Sequence, residues 1–266
     1  MRLVVTTPLE PSADEEADAR AAAGRHGLPF ARRGRRPLPE VVAAAGAVGA
    51  LVLSRTRAVL AAGGEARRWA PGMGFLRAKR ARARLGGAAA DPTARDPFLE
   101  AAGIRAGDAV LDCTLGLGAD ALVAAVAAGP AGRVVGIEAS PALAAWVAEG
   151  LRRLGDEAAA RVEVRSADHG EALVALPEGS FDVVVFDPMF RHARAGPAGF
   201  DVVRRLADAR PLSAAALERA RRVARRWVVV KDGAPGWDLA RLGLTPLPSA
   251  RGAHRYYARV AALGGG

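Results

Sequence analysis

The chain has 266 residues, 51% of them hydrophobic, which is enough for one large domain or for a catalytic domain with a smaller unit attached. Its formal net charge is +10, from 38 basic and 28 acidic residues. The single cysteine, Cys113, excludes an intramolecular disulfide and a cysteine-based zinc cluster. Because Cys113 lies in an apolar segment, we predict a buried structural thiol rather than a nucleophile.

The first residues lack the long apolar core of a signal peptide. The alanine-rich run 41–53 is too short, and too often interrupted by glycine, to span a bilayer. We therefore expect a soluble cytoplasmic protein with no membrane partner.

The first third of the chain contains short elements of both kinds. The patterns predict, in order, a strand at 3–7, a helix at 12–24, a helix at 37–45, strands at 48–53 and 58–62, and a basic helix at 75–85. A glycine- and alanine-rich segment at 86–92 has the composition of a linker. We therefore predict a small α+β unit at 1–90, followed by a second unit at 91–266.

Positive charge is concentrated in this first unit. Residues 1–95 contain 17 basic and 8 acidic residues, whereas residues 96–266 contain 21 and 20. Arginine pairs with phosphate and displaces its counterions, so a basic run without acids favours a polyanion such as RNA. The predicted RNA-binding residues are Arg67, Arg68, Arg77, Lys79, Arg80, Arg82 and Arg84.

From residue 96 onward, short apolar strands alternate with helix-length segments. The strands are predicted near 109–113, 133–137, 161–165, 181–186, 227–231, 244–247 and 255–261. Continuous apolar runs such as 183–186 and 227–230 are typical of strands buried on both faces of a parallel sheet. The predicted fold class is α/β, with a doubly wound, seven-stranded, mostly parallel sheet.

A glycine turn follows the first of these strands. Gly116 and Gly118 permit a nucleotide-like cofactor to approach the backbone closely, and Asp112 and Asp120 supply carboxylates beside the turn. A plain corner between a strand and a helix would share this pattern. We predict that these four residues bind the cofactor.

The next two strands are also followed by acids. Glu138 ends the second strand, where a carboxylate can accept hydrogen bonds from both ribose hydroxyls. Asp168 follows the third strand and can accept the amino group of adenine, while Ala167 leaves space for the ring. Asp168 is almost equally suited to cap the helix that follows it.

The segment 187–190 follows the apolar strand 181–186. The Asp187 carboxylate and the Pro188 carbonyl can hold both N–H bonds of a planar exocyclic amine and direct its lone pair at a methyl group. Phe190 can stack on the base. A β-turn after a core strand is the competing interpretation. We predict that Asp187, Pro188 and Phe190 are catalytic.

These motifs resemble those of class I S-adenosylmethionine-dependent methyltransferases and, more narrowly, of the ribosomal RNA small subunit methyltransferase J family. The likeness covers about 96–231. The family pattern Asp-x-Thr-x-Gly-x-Gly-x-Asp-Ala is matched at 112–121, its acid after the second strand by Glu138, and its Asp-Pro-Met-Phe segment at 187–190. The segment 228–231 is similar to the family's fifth strand.

The resemblance implies S-adenosylmethionine (SAM) as the cofactor and methyl transfer to the N2 amino group of a guanine in 16S ribosomal RNA. By matching positions it implies a cofactor site formed by Ala119, Asp120, Glu138, Ala139, Ala167, Asp168 and Asp187. Ala139 stands where the better-known members carry arginine.

We therefore predict a methyltransferase that modifies an exocyclic amine, with ribosomal RNA or the small ribosomal subunit as its partner. The four histidines lack paired spacing, so no metal site is predicted. A methyltransferase for a protein carboxyl group or a small molecule is one alternative, although it would not need the basic first third. A non-catalytic RNA-binding protein is another, against which Asp112, Glu138 and Asp187 argue. A dehydrogenase would leave 187–190 without a role.

Overall fold

The computed structural model describes residues 2–86, 95–188, 201–248 and 254–263. They form two β-sheets with helices packed on them. Within these ranges, every helix is too short or too polar to cross a lipid bilayer.

The smaller sheet comes from the first part of the chain and has the strand order β1-β2-β3-β4. The pair β1 and β2 is parallel, and the other two pairs are antiparallel. Its strands are β1 (Leu3–Thr6), β2 (Gly49–Ser54), β3 (Arg57–Ala62) and β4 (Glu65–Arg68). Helices α1 (Ala13–Arg25) and α2 (Leu38–Ala44) pack on this sheet, and α3 (Gly74–Leu85) follows its last strand.

These elements confirm the predicted strands and helices of the first unit and add β4. The capping box between Ser12 and Glu15 begins α1, as the acidic first turn indicates. The unpredicted β4 is a polar edge strand without an apolar run. It forms because Gly63 and Gly64 both take positive φ, 59° and 80°, which reverses the chain tightly after β3.

The larger sheet has six strands in the order β10-β9-β8-β5-β6-β7, and only the β9–β10 pair is antiparallel. Its strands are β5 (Ala109–Asp112), β6 (Arg133–Glu138), β7 (Val162–Ser166), β8 (Phe181–Phe186), β9 (Ala224–Gly233) and β10 (Arg255–Ala261). Its helices are α4 (Pro97–Ala102), α5 (Ala119–Ala128), α6 (Pro141–Arg152), α7 (Glu157–Ala160), α8 (His169–Ala175), α9 (Asp201–Leu206), α10 (Ala214–Val223) and α11 (Trp237–Arg241).

The α/β fold with a doubly wound, mostly parallel sheet is confirmed, but the predicted seventh strand at 244–247 does not form in the described part of the chain. Leu247 donates one backbone hydrogen bond to Tyr257, at 2.7 Å. Pro246 and Pro248 have no N–H group, so the ladder cannot extend on either side. The buried Cys113, 2% exposed, confirms the predicted structural thiol.

The small sheet packs closely against α6 of the large one. The Trp146 indole donates to the Ala58 carbonyl at 3.1 Å, and the ring of Trp69 lies directly over Gly150. Glu149, 1% exposed, is held by Arg25 at 2.9 Å. One continuous hydrophobic cluster contains residues of both sheets. The first part of the chain therefore shares a hydrophobic core with the second.

Candidate functional site

The carboxyl ends of β5, β6 and β8 meet at one edge of the large sheet, as expected for parallel strands. Two hydrogen bonds join the loops there. The Gly116 amide donates to Glu138 Oε2 at 3.1 Å, and the Asp187 amide donates to Thr114 Oγ1 at 2.6 Å. The glycine turn after β5 is therefore tied to the ends of both neighbouring strands.

The two glycines of this turn have left-handed backbones, with φ of 52° at Gly116 and 77° at Gly118. Residues with a Cβ atom adopt such values only with strain. Gly118 also begins α5, where an added Cβ would lie 3.3 Å from Val147. The turn therefore needs glycine for its conformation and for its packing.

Two clefts open on this edge. The glycine cleft is lined by Gly116, Glu138, Ala139, His169, Phe186 and Pro188 and is the smaller of the two. The lysine cleft is lined by Arg77, Asp112, Ala119, Asp120, Lys231 and Tyr257 and is larger, about 2660 Å³. Thr114 and Asp187 line both. Asp187 therefore lies in the wall that the two clefts share.

Glu138 is buried in the glycine cleft, 6% exposed. Its Oε2 accepts from Gly116 and its Oε1 accepts from the Ser140 amide at 2.9 Å, just before α6 begins. Burial raises the pKa of this carboxyl, while the backbone donors oppose the shift. A carboxylate has about four lone-pair positions, so these two amides do not use all of them.

The lysine cleft contains an alternating chain of charges. Lys231 Nζ lies 3.0 Å from Asp120 Oδ2 and also binds Asp187 Oδ2. Burial opposes the charge on Lys231, but the two carboxylates outweigh it and raise the pKa of the ammonium. Burial raises the pKa of Asp187, and Lys231 opposes that shift. The ammonium therefore anchors one oxygen of the Asp187 carboxylate.

Two further titratable groups line the lysine cleft. Asp112, 4% exposed, accepts a hydrogen bond from the Thr114 amide at 3.0 Å, and burial raises its pKa to about 8. Burial also raises the pKa of Tyr257 to about 12. At neutral pH Asp112 is therefore largely a neutral acid beside the charged pair of Asp120 and Lys231.

The residues predicted to face adenine lie next to the glycine cleft. Asp168 Oδ1 caps α8 by accepting from Gly170 at 2.8 Å, and Asp168 Oδ2 pairs with Arg210 at 2.5 Å. The capping role, which the sequence left open, is therefore present. Ala167 is half-buried and donates its amide to the Glu138 carbonyl at 3.1 Å, which ties the end of β7 to β6.

Most of the predicted RNA-binding residues are exposed, whereas Arg77 is held in the interior by carboxylates. Lys79, Arg80 and Arg84 are exposed on α3, and Arg68 is exposed on β4; Arg67 of β4 is half-buried. Arg82 is exposed but pairs with Asp156 at 2.7 Å. Arg77 is different, because its side chain is only 20% exposed and its guanidinium is held by carboxylates. Trp69, which interrupts the basic run, is buried in the core.

Several residues at this edge were not predicted from the sequence. Lys231 had a recognisable signal: it is one of two lysines in the chain and directly follows the apolar run of β9. Arg210 and the edge-to-face pair of His169 and Phe186, with centroids 5.7 Å apart, had none. The predicted catalytic Phe190 lies outside the described residues.

Comparison with known proteins gives the family. Residues 45–242 match the family model described as "Putative SAM-dependent methyltransferase". An uncharacterized Bacillus subtilis protein, YpiP, is 42% identical over 144 residues, which cover 52% of this chain and 56% of that protein. A ribosomal RNA small subunit methyltransferase J from Laribacter hongkongensis is 39% identical over 120 residues, or 42% and 40% of the two chains.

This chain thus spans about half the length of the curated relatives it matches. A crystal structure of a SAM-dependent methyltransferase from Neisseria gonorrhoeae has the same fold, with a TM-score of 0.62, 22% identity, and coverage of 98% of this chain and 96% of that one. The resemblance to class I methyltransferases, with SAM as the cofactor, is confirmed. The family match covers β2, β3 and β4 of the small sheet and every strand of the large sheet except β10, and the chain belongs to the SAM-dependent methyltransferase family.

Proposed function

We propose that this protein transfers a methyl group from SAM to an exocyclic amino group of a nucleobase, with N2 of a guanine in 16S ribosomal RNA as the target. One observation carries the proposal. Asp187, the first residue of the Asp-Pro-Met-Phe segment, lies in the wall shared by the glycine cleft and the lysine cleft. A group there can contact molecules bound on both sides.

The residues of the glycine cleft fit the nucleoside part of SAM. The unused lone pairs of Glu138 suit ribose hydroxyls, and the half-buried Ala139 and Pro188 supply apolar surface for a flat ring. Beyond Asp187, Asp112 lines the lysine cleft, where the cationic end of the cofactor would favour the ionised form of its carboxyl. When bound, SAM supplies an electrophilic methyl group on a positively charged sulfur.

The chain's own contribution is to hold the amine. Lys231 anchors one oxygen of Asp187, which leaves the other to accept an N–H bond from the substrate. The Pro188 carbonyl supplies a second acceptor. Together they restrain both N–H bonds of a planar amine and reduce the delocalisation of its lone pair into the ring. The transfer is then accelerated by alignment and by placed charge rather than by a strong base.

RNA is the substrate class that the charge and the relatives favour. The lysine cleft is the larger of the two, and Arg80 of α3 and Arg255 of β10 stand at its rim. Three relatives named ribosomal RNA small subunit methyltransferase J are 32% to 39% identical to this chain over 102 to 120 residues. We propose that the unit at 1–90 binds RNA and that the unit at 91–266 catalyses the methyl transfer.

A small-molecule or protein-carboxyl methyltransferase is the alternative with a different substrate. Such an enzyme would have no use for the exposed basic side chains of α3. A non-catalytic RNA-binding role would leave the half-buried pair of Asp187 and Lys231 without a function, although charges removed from water are costly to keep. We therefore prefer the RNA methyltransferase.

The test compares modified nucleosides in 16S ribosomal RNA from cells with and without the gene, by mass spectrometry. We expect one N2-methylguanosine to disappear on deletion. It should return with the intact gene but not with an Asp187→Asn copy expressed at the same level. An unchanged set of nucleosides would exclude the ribosomal target, and a change at a different amine would correct the base.

A further inference from the structure

Arg77 was expected to contact RNA, but its surroundings are those of an internal ion pair. Its Nε and Nη2 atoms bind the two carboxylate oxygens of Asp96 at 2.7 and 3.0 Å. Its Nη1 atom binds Asp120 Oδ1 at 2.5 Å. The planar fork is therefore fully used by two acids, and little of it remains for phosphate.

Asp96 cannot follow a moving arginine, because it also caps α4. Its Oδ1 accepts from the amides of Phe98 at 3.0 Å and Leu99 at 3.2 Å. Burial opposes the charge on Arg77, but Asp96 and Asp120 outweigh it and raise the pKa of the guanidinium. Arg77 is therefore a fixed cation under the lysine cleft.

Asp120 connects Arg77 to Asp187, the proposed catalytic acid. Asp120, 6% exposed, uses one oxygen for Arg77 and the other for Lys231. Lys231 in turn binds Asp187. With two cations on Asp120, Lys231 is free to divide its donors between Asp120 and Asp187. With one cation, the buried Asp120 would draw Lys231 to itself.

We propose that Arg77 is a positioning residue for Asp187, acting through two intermediate side chains on α5 and β9. The inference rests on the proposed role of Asp187 in methyl transfer. It means that α3, in the first part of the chain, takes part in the chemistry without touching the reacting groups. It also separates Arg77 from Lys79, Arg80 and Arg84, the exposed cations of the same helix.

Loss of Arg77 should change the titration of Asp187. Lys231 would shift toward Asp120, so Asp187 would lose its opposite charge and its pKa would rise. Other charged or titratable groups also surround Asp187 and contribute to its midpoint. They are Asp112, Asp120, Lys231, Arg255 and Tyr257 on the side of the lysine cleft, and Glu138, His169, Asp208 and Arg210 on the other side.

The first measurement needs neither cofactor nor RNA. The Asp187 carboxyl is titrated by carbon-detected NMR in the intact protein, in Arg77→Gln and in Arg77→Lys, with Arg133→Gln as the control. Arg133 pairs with Glu163 at 3.0 Å, at the opposite end of the sheet. We expect the midpoint to rise by about one pH unit or more in Arg77→Gln, less in Arg77→Lys, and not in the control.

The second measurement separates positioning from phosphate binding. For Arg77→Gln we expect kcat for RNA methylation to fall about ten- to a hundredfold, as for a misplaced reacting group, while the salt slope of RNA binding is unchanged. For Arg80→Gln we expect the slope to fall by roughly 0.7 to 0.9 and KM to rise. An equal loss of slope in both variants, with an unchanged Asp187 titration, would overturn the proposal.

The experiments distinguish a failure of the variant to fold from a failure of the proposed function. If Arg77→Gln does not fold, Asp96→Asn and Arg77→Lys carry the test, and an unchanged Asp187 midpoint in both would overturn the positioning role. If the intact protein methylates no RNA, the proposed function fails. The NMR titration still decides whether Arg77 controls Asp187.

Discussion

The Glu138 carboxylate accepts a hydrogen bond from the Gly116 amide at 3.1 Å, so the acid at the end of β6 holds the glycine turn that follows β5. The two sequence motifs, 22 residues apart, are therefore one structural unit. A change in Glu138 alters the shape of the turn as well as the contacts available to a ribose.

Glu138→Gln should weaken cofactor binding. The amide of glutamine replaces one acceptor oxygen by a donor, which would face a backbone N–H or a ribose hydroxyl. Hydrogen bonds to a charged group contribute about 1.5 to 3 kcal/mol, so we expect affinity for S-adenosylhomocysteine to fall about tenfold or more. Calorimetry measures it, with Glu163→Gln on the neighbouring β7 as the exposed control. Equal affinity in the two variants would contradict this role.

The buried Asp112 should make stability depend on pH. Its folded pKa is about 8, far above the value of about 3.9 for an unfolded aspartate. Between these values the folded state keeps a proton that the unfolded state loses, so the Asp112 contribution to the free energy of unfolding decreases as pH rises.

The measurement is urea unfolding of the intact protein and of Asp112→Asn between pH 5 and pH 8, spanning much of this window. We expect the intact protein to lose about 1.4 kcal/mol per pH unit relative to the variant. Asparagine does not titrate, so shifts of other groups cancel in the difference. A difference that is constant with pH would mean that Asp112 is ionised in the folded protein.

Asp187→Asn should impair methyl transfer without impairing RNA binding. The variant keeps the shape of the side chain but loses the charge that Lys231 holds. Removing one preorganised transition-state contact costs about 3 kcal/mol, so we expect kcat to fall about a hundredfold or more. RNA affinity should change little, since phosphate contacts dominate it.

Single-turnover methylation at saturating cofactor and RNA checks this expectation. Asp182→Asn is the matched control, because Asp182 is the second residue of the same strand, far from its carboxyl end. It pairs there with Arg225 at 3.1 Å. Its kcat should equal that of the intact protein. Near-normal turnover by Asp187→Asn would exclude the amine-holding mechanism.

Gly150→Ala should destabilise the protein, although alanine normally favours a helix. An added Cβ would lie 2.1 Å from the Trp69 ring, which must then move away from α6. Such overpacking costs about 1 to 3 kcal/mol. Gly24→Ala in α1 is the control, because nothing lies within 4 Å of its added Cβ. We expect it to gain about 0.5 to 1 kcal/mol in urea unfolding, and effects of the same sign would contradict the packing argument.

The strands of the large sheet could be predicted because strands buried on both faces are continuous apolar runs. The prediction of a strand at 244–247 was wrong, which shows the limit of that reasoning. Pro246 and Pro248 flank its last apolar residue, and neither has an N–H group to extend the ladder. The edge strand β4 was missed because it has no apolar run, and two glycines form it by reversing the chain.

The acids of the site could be predicted for a topological reason: the ends of neighbouring parallel strands share one edge of the sheet. Their partners could not. Arg77 of α3 contacts Asp120 of α5 across a separation of 43 residues, and Lys231 of β9 contacts the same acid across a separation of 111 residues. No periodic pattern records contacts of that kind, so a basic run on α3 gives no sign that one of its members turns inward.

Gly74 begins α3 where an added Cβ would lie only 2.8 Å from the Ala119 backbone, so α3 and α5 touch without an intervening side chain. This contact fixes the distance between the exposed arginines of α3 and the end of β8 where Asp187 lies. If those arginines bind the RNA phosphates, the nucleotide that reaches the methyl donor must lie at a set distance along the RNA backbone. Only a nucleotide at a set number of phosphates from the bound segment would meet that condition. Target choice would then follow from backbone spacing as much as from the identity of the base.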